Sequence, residues 1–308
     1  MAKVSVIIPT YNCMAFLPKA IDSVLEQTHQ DIELIIIDDN SADKTDAYLK
    51  TLTDPRISVI TTTGVGASQA RNMGINQACG DFIAFLDADD FWLPEKLELQ
   101  LALHAAHPSL GMSFTNYDHL TEQYQSIVDC FSYWEQFHGE ERLFIPLNNA
   151  LEFTIQNNII GTSTVMVKAD VLTQMKAFDA EIEYGEDWDL WLRICEKHPI
   201  GALNSIQSGY LMRQSSTTQT DHFKLRNLQS IESILKHYQD SQHTWCLPAS
   251  AFKSAKARIL EGYADYHRGL QRKGIAVFFG LRSLLLAPQK RRFRSLLGDC
   301  KSILWPAR

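Results

Sequence analysis

The chain has 308 residues, 45% of them apolar and 21% charged, enough to bury a full core and to carry more than one structural unit. Its formal net charge of −7 gives no global basic field of the kind that marks a nucleic-acid binder. The six cysteines, Cys13, Cys79, Cys130, Cys195, Cys246 and Cys300, are scattered without a CxxC pair or zinc spacing, which points to reduced thiols in a cytosolic compartment.

The N-terminus runs straight into a strand and leaves no room for a signal peptide, and no run approaches the roughly 18 consecutive apolar residues of a membrane span. The sequence therefore predicts a cytoplasmic protein. Val4-Ser5-Val6-Ile7-Ile8, closed by Pro9, reads as a buried strand. Helical spacing from Met14 to Gln27 follows, with Phe16, Leu17, Ala20, Ile21, Val24 and Leu25 on one face. A second strand at 32–37 ends at Asp38-Asp39, and residues 41–52 suit a helix. Residues 57–60 form a third strand. Gly64-Val65-Gly66 breaks the chain before a helix at 68–78. A fourth strand, 82–86, leads into Asp87-Ala88-Asp89-Asp90, and Trp92 to Lys96 reads as the start of a helix running to about 106.

The regular alternation of strand and helix implies a mainly parallel sheet covered on both faces. A short strand at 112–114 precedes an aromatic-rich stretch, 117–148, without clear periodicity. That stretch fits either a lid or binding loop or a small aromatic satellite core. A strand at 159–167, a helix at 186–197 and a strand pair or loop up to Met212 complete this part. From about 221 the pattern is helical: 225–238, 248–269, 273–286 and 291–303. The organisation expected is therefore 1–116 and 117–215 as two halves of one domain, with 216–308 as a helical extension, the boundary falling in the polar run 215–220.

Four polar stretches sit at the ends of these elements. Pro9-Thr10-Tyr11-Asn12 follows the first strand, where a dinucleotide fold needs GxGxxG and a P-loop needs GxxxxGK[ST]; neither is present. Asp38-Asp39 closes the second strand, where one aspartate can accept from a base or ribose, while Ser41 or Asp43 can cap the next helix. Arg71, near a helix start, can reach an anion or the acidic tetrad. Glu186-Asp187 opens a helix on which Asp189 and Arg193, four apart, can pair. In the tetrad, several carboxylates within four residues repel one another unless a cation joins them. Asp90 alone has a simpler reading, as a cap for the helix opened by Pro94.

Taken in order, VSVIIPTYN, IIIDDNSADKT, GASQARNMGI, DFIAFLDADDFWLPEKLE and FDAEIEYGEDWDLWLRI resemble the family-2 glycosyltransferases of the GT-A fold, over about residues 3 to 213. The resemblance implies an α/β fold of the GT-A nucleotide-diphospho-sugar transferase type, with a C-terminal helical extension. It implies an inverting transfer of a sugar, UDP-linked on family grounds, to a hydroxyl acceptor in cell-surface polysaccharide or glycolipid synthesis. Pro9, Tyr11 and Asp38 would lie around base and ribose, and Asp39 and Arg71 would join them in binding the donor. Asp87, Ala88 and Asp89 match the DxD motif, in which the second aspartate holds Mn²⁺ or Mg²⁺ against the diphosphate and the first faces the ribose. Asp187 would be the general base, with Glu186 the next candidate. Arg213 matches a diphosphate-binding arginine, although Met212 and Gln214 depart from the family pattern around it.

The competing classes fit less well. A haloacid-dehalogenase-like phosphohydrolase needs Thr or Val where this chain has Phe91. A sugar nucleotidyltransferase needs a Gly-rich loop after the first strand. A non-catalytic nucleotide-sugar-binding module has no use for both acidic clusters. The last helices combine short apolar runs with Arg282, Lys290, Arg291, Arg292 and Arg294. They suit either an ordinary packed appendage or a peripheral contact with the cytoplasmic membrane face.

Overall fold

The computed structural model describes residues 2–213, 221–240 and 247–304. The chain forms two compact units, the first built from Met1–Ala150, Ile159–Glu181 and Glu186–Met212, the second from Leu151–Asn158, Ile182–Gly185 and Arg213–Arg308. The expected boundary in the run 215–220 lies outside the described residues.

In the first unit, β1 (Val4–Thr10), β2 (Ile32–Asp38), β3 (Ile57–Thr61) and β4 (Phe82–Phe85) are β-branched, apolar segments that pair in parallel in the order β3-β2-β1-β4. Beyond β4 come β9 (Met166–Lys168), β6 (Met112–Leu120), β10 (Ile200–Leu211) and the two-residue β5 (Phe91–Trp92). Because β9 runs against both β4 and β6, β6 and its parallel neighbour β10 point the same way as the first four strands. Short antiparallel strands β7 (Ser126–Asp129) and β8 (Phe144–Leu147) pair with β6 and β10.

The period-two rule decides which helix covers which face. Val4, Val6 and Ile8 of β1 share a buried cluster with Leu17, Ala20, Ile21 and Val24 of α1 (Leu17–Leu25). On the opposite face, Ile7 of β1 and Ile37 of β2 touch Gly74 of α3 (Ala67–Gln77), where a Cβ would stand 2.7 Å from Ile7. The sheet is thus covered on both sides, as alternation predicts.

Differences from the sequence reading fall where pairing is long-range. Helix α2 is only Thr45–Leu49, shorter than the 41–52 predicted. Trp92 does not open a helix: Phe91–Trp92 pairs antiparallel with Ser208 and Gly209 of β10, and α4 begins at Lys96 and ends at Ala106. Gly209 is needed there, since a Cβ would lie 2.4 Å from the Phe91 ring. Most of the strand predicted at 159–167 is not strand: Thr162–Thr164 form a 3-10 turn within irregular backbone, leaving only β9. The strand pair or loop expected before Met212 is the single long β10. Within 117–148, α5 (Cys130–Tyr133) brings Phe131 into a stack with Phe137, centroids 3.9 Å apart, and against Phe114 at 5.9 Å, so a packed aromatic cluster forms there. Among the described cysteines, Cys13, Cys130 and Cys195 are buried.

Helices α6 (Ala150–Gln156), α7 (Ala169–Met175) and α8 (Glu186–Lys197) complete the part before the C-terminal region. Besides 151–158 and 182–185, the second unit holds the helices α9 (Asp221–Asp240), α10 (Ala249–Gly269), α11 (Lys273–Leu286) and α12 (Lys290–Leu304). Its interior holds Ile231, Ile234, Leu235, Phe252, Ile259 and Leu260. The Phe279 ring lies between Tyr263 and His267, at 5.2 and 5.5 Å.

Candidate active site

The register places three polar segments on one edge of the sheet. Thr10 is opposite Asp38, and Ile7 is opposite Phe85, so residues 9–12, 38–41 and 87–90 all leave the carboxyl ends of adjacent strands. Strand β1 is followed by β2 on one side and flanked by β4 on the other, which makes this the switch point where open α/β sheets take ligands. Tyr11 is 63% exposed at this edge, while Asp38 is buried and its Oδ1 accepts from the Ser41 backbone N–H at 3.2 Å. Asn12, at φ +49°, accepts from the Ala42 N–H at 2.7 Å and so ties the two loops together.

Asp39 serves the loop before α3. Its carboxylate accepts from the Val65 N–H at 2.7 Å, the Gly66 N–H at 2.8 Å and the Thr62 hydroxyl. Gly64 and Gly66 have φ of +93° and +85°, a conformation that L side chains rarely adopt, and it turns those N–H groups inward. Burial pushes the Asp39 carboxyl up, but these bonds outweigh it and hold it below its ordinary value.

Arg71 is buried on α3 and joins two distant acids. Its Nη2 donates to Asp87 Oδ1 at 2.7 Å and its Nη1 to Glu186 Oε1 at 3.0 Å, across 115 residues of sequence. The guanidinium also lies 5.4 Å from the centroid of the Phe178 ring. Burial lowers the Arg71 pKa while Asp87 and Glu186 raise it, with a net upward shift, so this cation is permanent. Helix α8 is held at its mouth because Trp188 and Trp191 are fully buried and Trp191 meets Phe85 and Phe178. Burial, then Asp187, push the Glu186 carboxyl up against the pull of Arg71. Burial likewise raises Asp187, whose Oδ2 accepts from the Thr162 hydroxyl at 3.0 Å. Asp189 and Arg193 form the ion pair their spacing predicts, at 2.8 Å.

Asp90 is not a helix cap. It is 3% exposed and accepts from the Ser163 hydroxyl at 2.6 Å and from the Leu211 N–H at 3.1 Å, so it fastens the tetrad to β10 and the 162–164 turn. Burial, reinforced by Asp89 and Asp87, drives its carboxyl well above the ordinary range. Ser163 also accepts from the Asp87 N–H at 3.1 Å. Ser163 and Thr162 escape a reading by motif, and the signal was there: a Thr-Ser-Thr run inside an otherwise apolar segment. Asp87, Asp90, Tyr117, Thr162, Ser163 and Tyr210 line a small recess of about 20 Å³.

A model of the family described as Glycosyl transferase family 2 matches residues 5–169, more than half of the chain. The chain belongs to this family. As a family-2 glycosyltransferase it is an enzyme, and residues 5–169 carry Pro9, Tyr11, Asp38, Asp39, Arg71 and the whole tetrad. It is 32% identical over 226 residues to UDP-Glc:alpha-D-GlcNAc-diphosphoundecaprenol beta-1,3-glucosyltransferase WfgD of Escherichia coli, covering 72% of this chain and 82% of that protein. It is 30% identical to the putative teichuronic acid biosynthesis glycosyltransferase TuaG of Bacillus subtilis, covering 83% and 97%. Against the uncharacterized glycosyltransferase of Rickettsia felis, 37% identical over 66% of this chain, it spans only about a third of the relative's length. The solved structure of S. aureus TarS 1-349 in complex with UDP-GlcNAc superimposes with a TM-score of 0.59 at 15% identity, covering 98% of this chain and 91% of that one. That likeness identifies the GT-A fold.

Ala88 is buried and sets Asp87 and Asp89 apart, both partly exposed. Among the described residues no group of three or more His, Cys, Asp or Glu side chains could hold a metal ion. Hard oxygen donors on Asp87 and Asp89 nevertheless suit Mg²⁺ or Mn²⁺, which are usually held by one or two carboxylates together with substrate phosphates rather than by an all-protein cage. Arg213 lies two residues past β10 and belongs to the second unit.

Proposed function

We propose that this chain transfers a sugar from a UDP-sugar to a hydroxyl of a lipid-linked saccharide acceptor, with inversion, in cell-surface polysaccharide or glycolipid synthesis. The observation that carries the reading is the Arg71 bridge, which gathers Asp87 and the Glu186-Asp187 pair around one permanent cation. Names of relatives support the substrate classes: WfgD takes UDP-Glc and a diphosphoundecaprenol-linked acceptor, and TarS is solved with UDP and UDP-GlcNAc. TuaG is named for teichuronic acid biosynthesis. Among the described residues no helix is long and apolar enough to cross a membrane, so a lipid-linked acceptor would be met from one side, which we take as the cytoplasmic one.

In this reading Pro9, Tyr11, Asp38 and Asp39 frame the base and ribose, Asp39 by holding the 64–66 loop in place. Asp87, fixed by Arg71, faces the ribose. A divalent cation held by Asp89, with Asp87 beside it, would supply neutralisation of the leaving diphosphate's charge. Asp187 is the base. As the acceptor oxygen forms its bond to the anomeric carbon, the bond from that carbon to the diphosphate breaks, and the acceptor proton passes to Asp187. Its upward-shifted carboxyl makes it a better proton acceptor than an ordinary aspartate, and the Thr162 hydroxyl fixes its orientation.

Two variants test this. Asp89→Asn should abolish the Mn²⁺-dependent part of UDP binding in calorimetry; wild-type affinity in that variant would remove the metal assignment. Asp187→Asn should bind UDP normally and fail to transfer glucose from UDP-glucose to a diphosphoundecaprenol-linked acceptor. Near-normal transfer would move the base to Glu186 or elsewhere.

A further inference from the structure

We propose that the exposed face of α11 and α12 is a docking surface for an anionic lipid bilayer, used while the helices lie in its interface. On α11, Ile275, Phe278 and Leu285 recur at helical spacing on one stripe, and Phe278 and Leu285 are 54% and 74% exposed. Arg282 shares that stripe, its guanidinium 5.4 Å from the Phe278 ring centroid. On α12, Phe293 and Leu297 lie four apart and exposed, with exposed Lys290, Arg294 and Lys301 within the same sector of the helix. Neither set packs in the unit's own core, which is built from the opposite faces through Ala276 and Ser283.

Charge identifies the occupant. Residues 272–303 contain eight lysines and arginines and one acid, Asp299, although the whole chain carries −7. Asp299 is buried and paired with Arg268, and Glu261 takes up Arg291 and the buried Arg292, so Arg282, Lys290, Arg294 and Lys301 are the cations this surface offers beside its apolar side chains. Large apolar groups interleaved with long basic ones match the headgroup boundary of an anionic membrane: rings and leucines enter the acyl region and the cations meet lipid phosphates. A second copy of the same face is a poor partner, because a two-fold contact would set like charges against each other. Helices of 14 and 15 residues are too short to cross the bilayer, so they lie on it.

The experiment is co-sedimentation of the full chain with vesicles of phosphatidylcholine alone and of phosphatidylcholine with phosphatidylglycerol. Binding should appear on the vesicles that contain phosphatidylglycerol and weaken as salt is raised. Phe278→Ser combined with Leu285→Ser should lower partitioning about tenfold or more. Arg282→Gln with Arg294→Gln and Lys301→Gln should weaken binding and flatten its salt dependence. Each variant changes exposed side chains only and should keep the wild-type unfolding midpoint; if one does not, the other still decides. Equal binding to both vesicle types, or binding unchanged in both variants, overturns the proposal. So does a dimer in light scattering that Phe278→Ser with Leu285→Ser dissociates, since the face would then be a self-contact.

Discussion

Two acidic corners share one edge of the sheet and solve the problem of a buried carboxylate in opposite ways. Asp39 is held by two backbone N–H groups and a hydroxyl, and its pKa is lowered. Burial with Asp89 and Asp87 raises the Asp90 carboxyl, and burial raises those of Glu186 and Asp187 despite Arg71. A carboxylate satisfied by backbone is complete and serves architecture. Carboxylates raised by burial and by one another are poised to take up a proton or a positive charge, which is the condition a transferase site needs.

The contrast can be broken at several points. The largest effect is expected for Asp187→Asn, with kcat falling about 10²–10⁴-fold while urea unfolding stays close to wild type. Arg71→Met strands Asp87 and Glu186 without their cation and should cost about 3–5 kcal/mol in urea unfolding, toward the lower end because Asp87 is one-third exposed. Asp39→Ala leaves the Val65 and Gly66 N–H groups unpaired. It should cost about 2 kcal/mol and raise hydrogen exchange in residues 64–66.

The smallest effect sharpens the comparison through pH. A lowered Asp39 gives stability that is present above its unfolded pKa near 3.8 and is lost as pH falls through its still lower folded value. A raised Asp90 has the opposite sign: the folded state binds the proton more tightly, so its contribution is full below about 3.8 and lost as pH rises through the folded value. Asp90→Asn should therefore cost less at neutral pH than Asp39→Asn and steepen the acid limb of the stability profile, which Asp39→Asn should flatten. Urea titrations from pH 3 to 8 would show whether the two variants tilt that profile in opposite directions.

Much of this was legible in the chain because it is local. Strands at 4–10 and 32–38 announce themselves by β-branched runs, and the helix at 186–197 begins where Glu186-Asp187 can sit on its positive end. The Asp189–Arg193 pair follows from spacing alone. What was hidden depends on partners far along the chain. Trp92 looks like the first turn of a helix until Ser208 and Gly209 give it a strand to pair with. Asp90 looks like a cap until Ser163 and Leu211 claim both of its oxygens. The aromatic stretch around 131 has no period because its order comes from ring packing, not from a repeating backbone.

The Arg71 bridge also fixes an order of events during synthesis. Arg71 and Asp87 are made early and are only 16 residues apart, so their pair can close while the chain is still growing. Glu186 arrives about a hundred residues later, and with it Asp187, on a helix that must dock before either can be placed. A nascent chain therefore passes through a stage in which Arg71 and Asp87 can pair while Glu186, Asp187 and the β10 backbone that holds Asp90 are still to come. The last docking step, not the first strands, turns the polypeptide into a transferase.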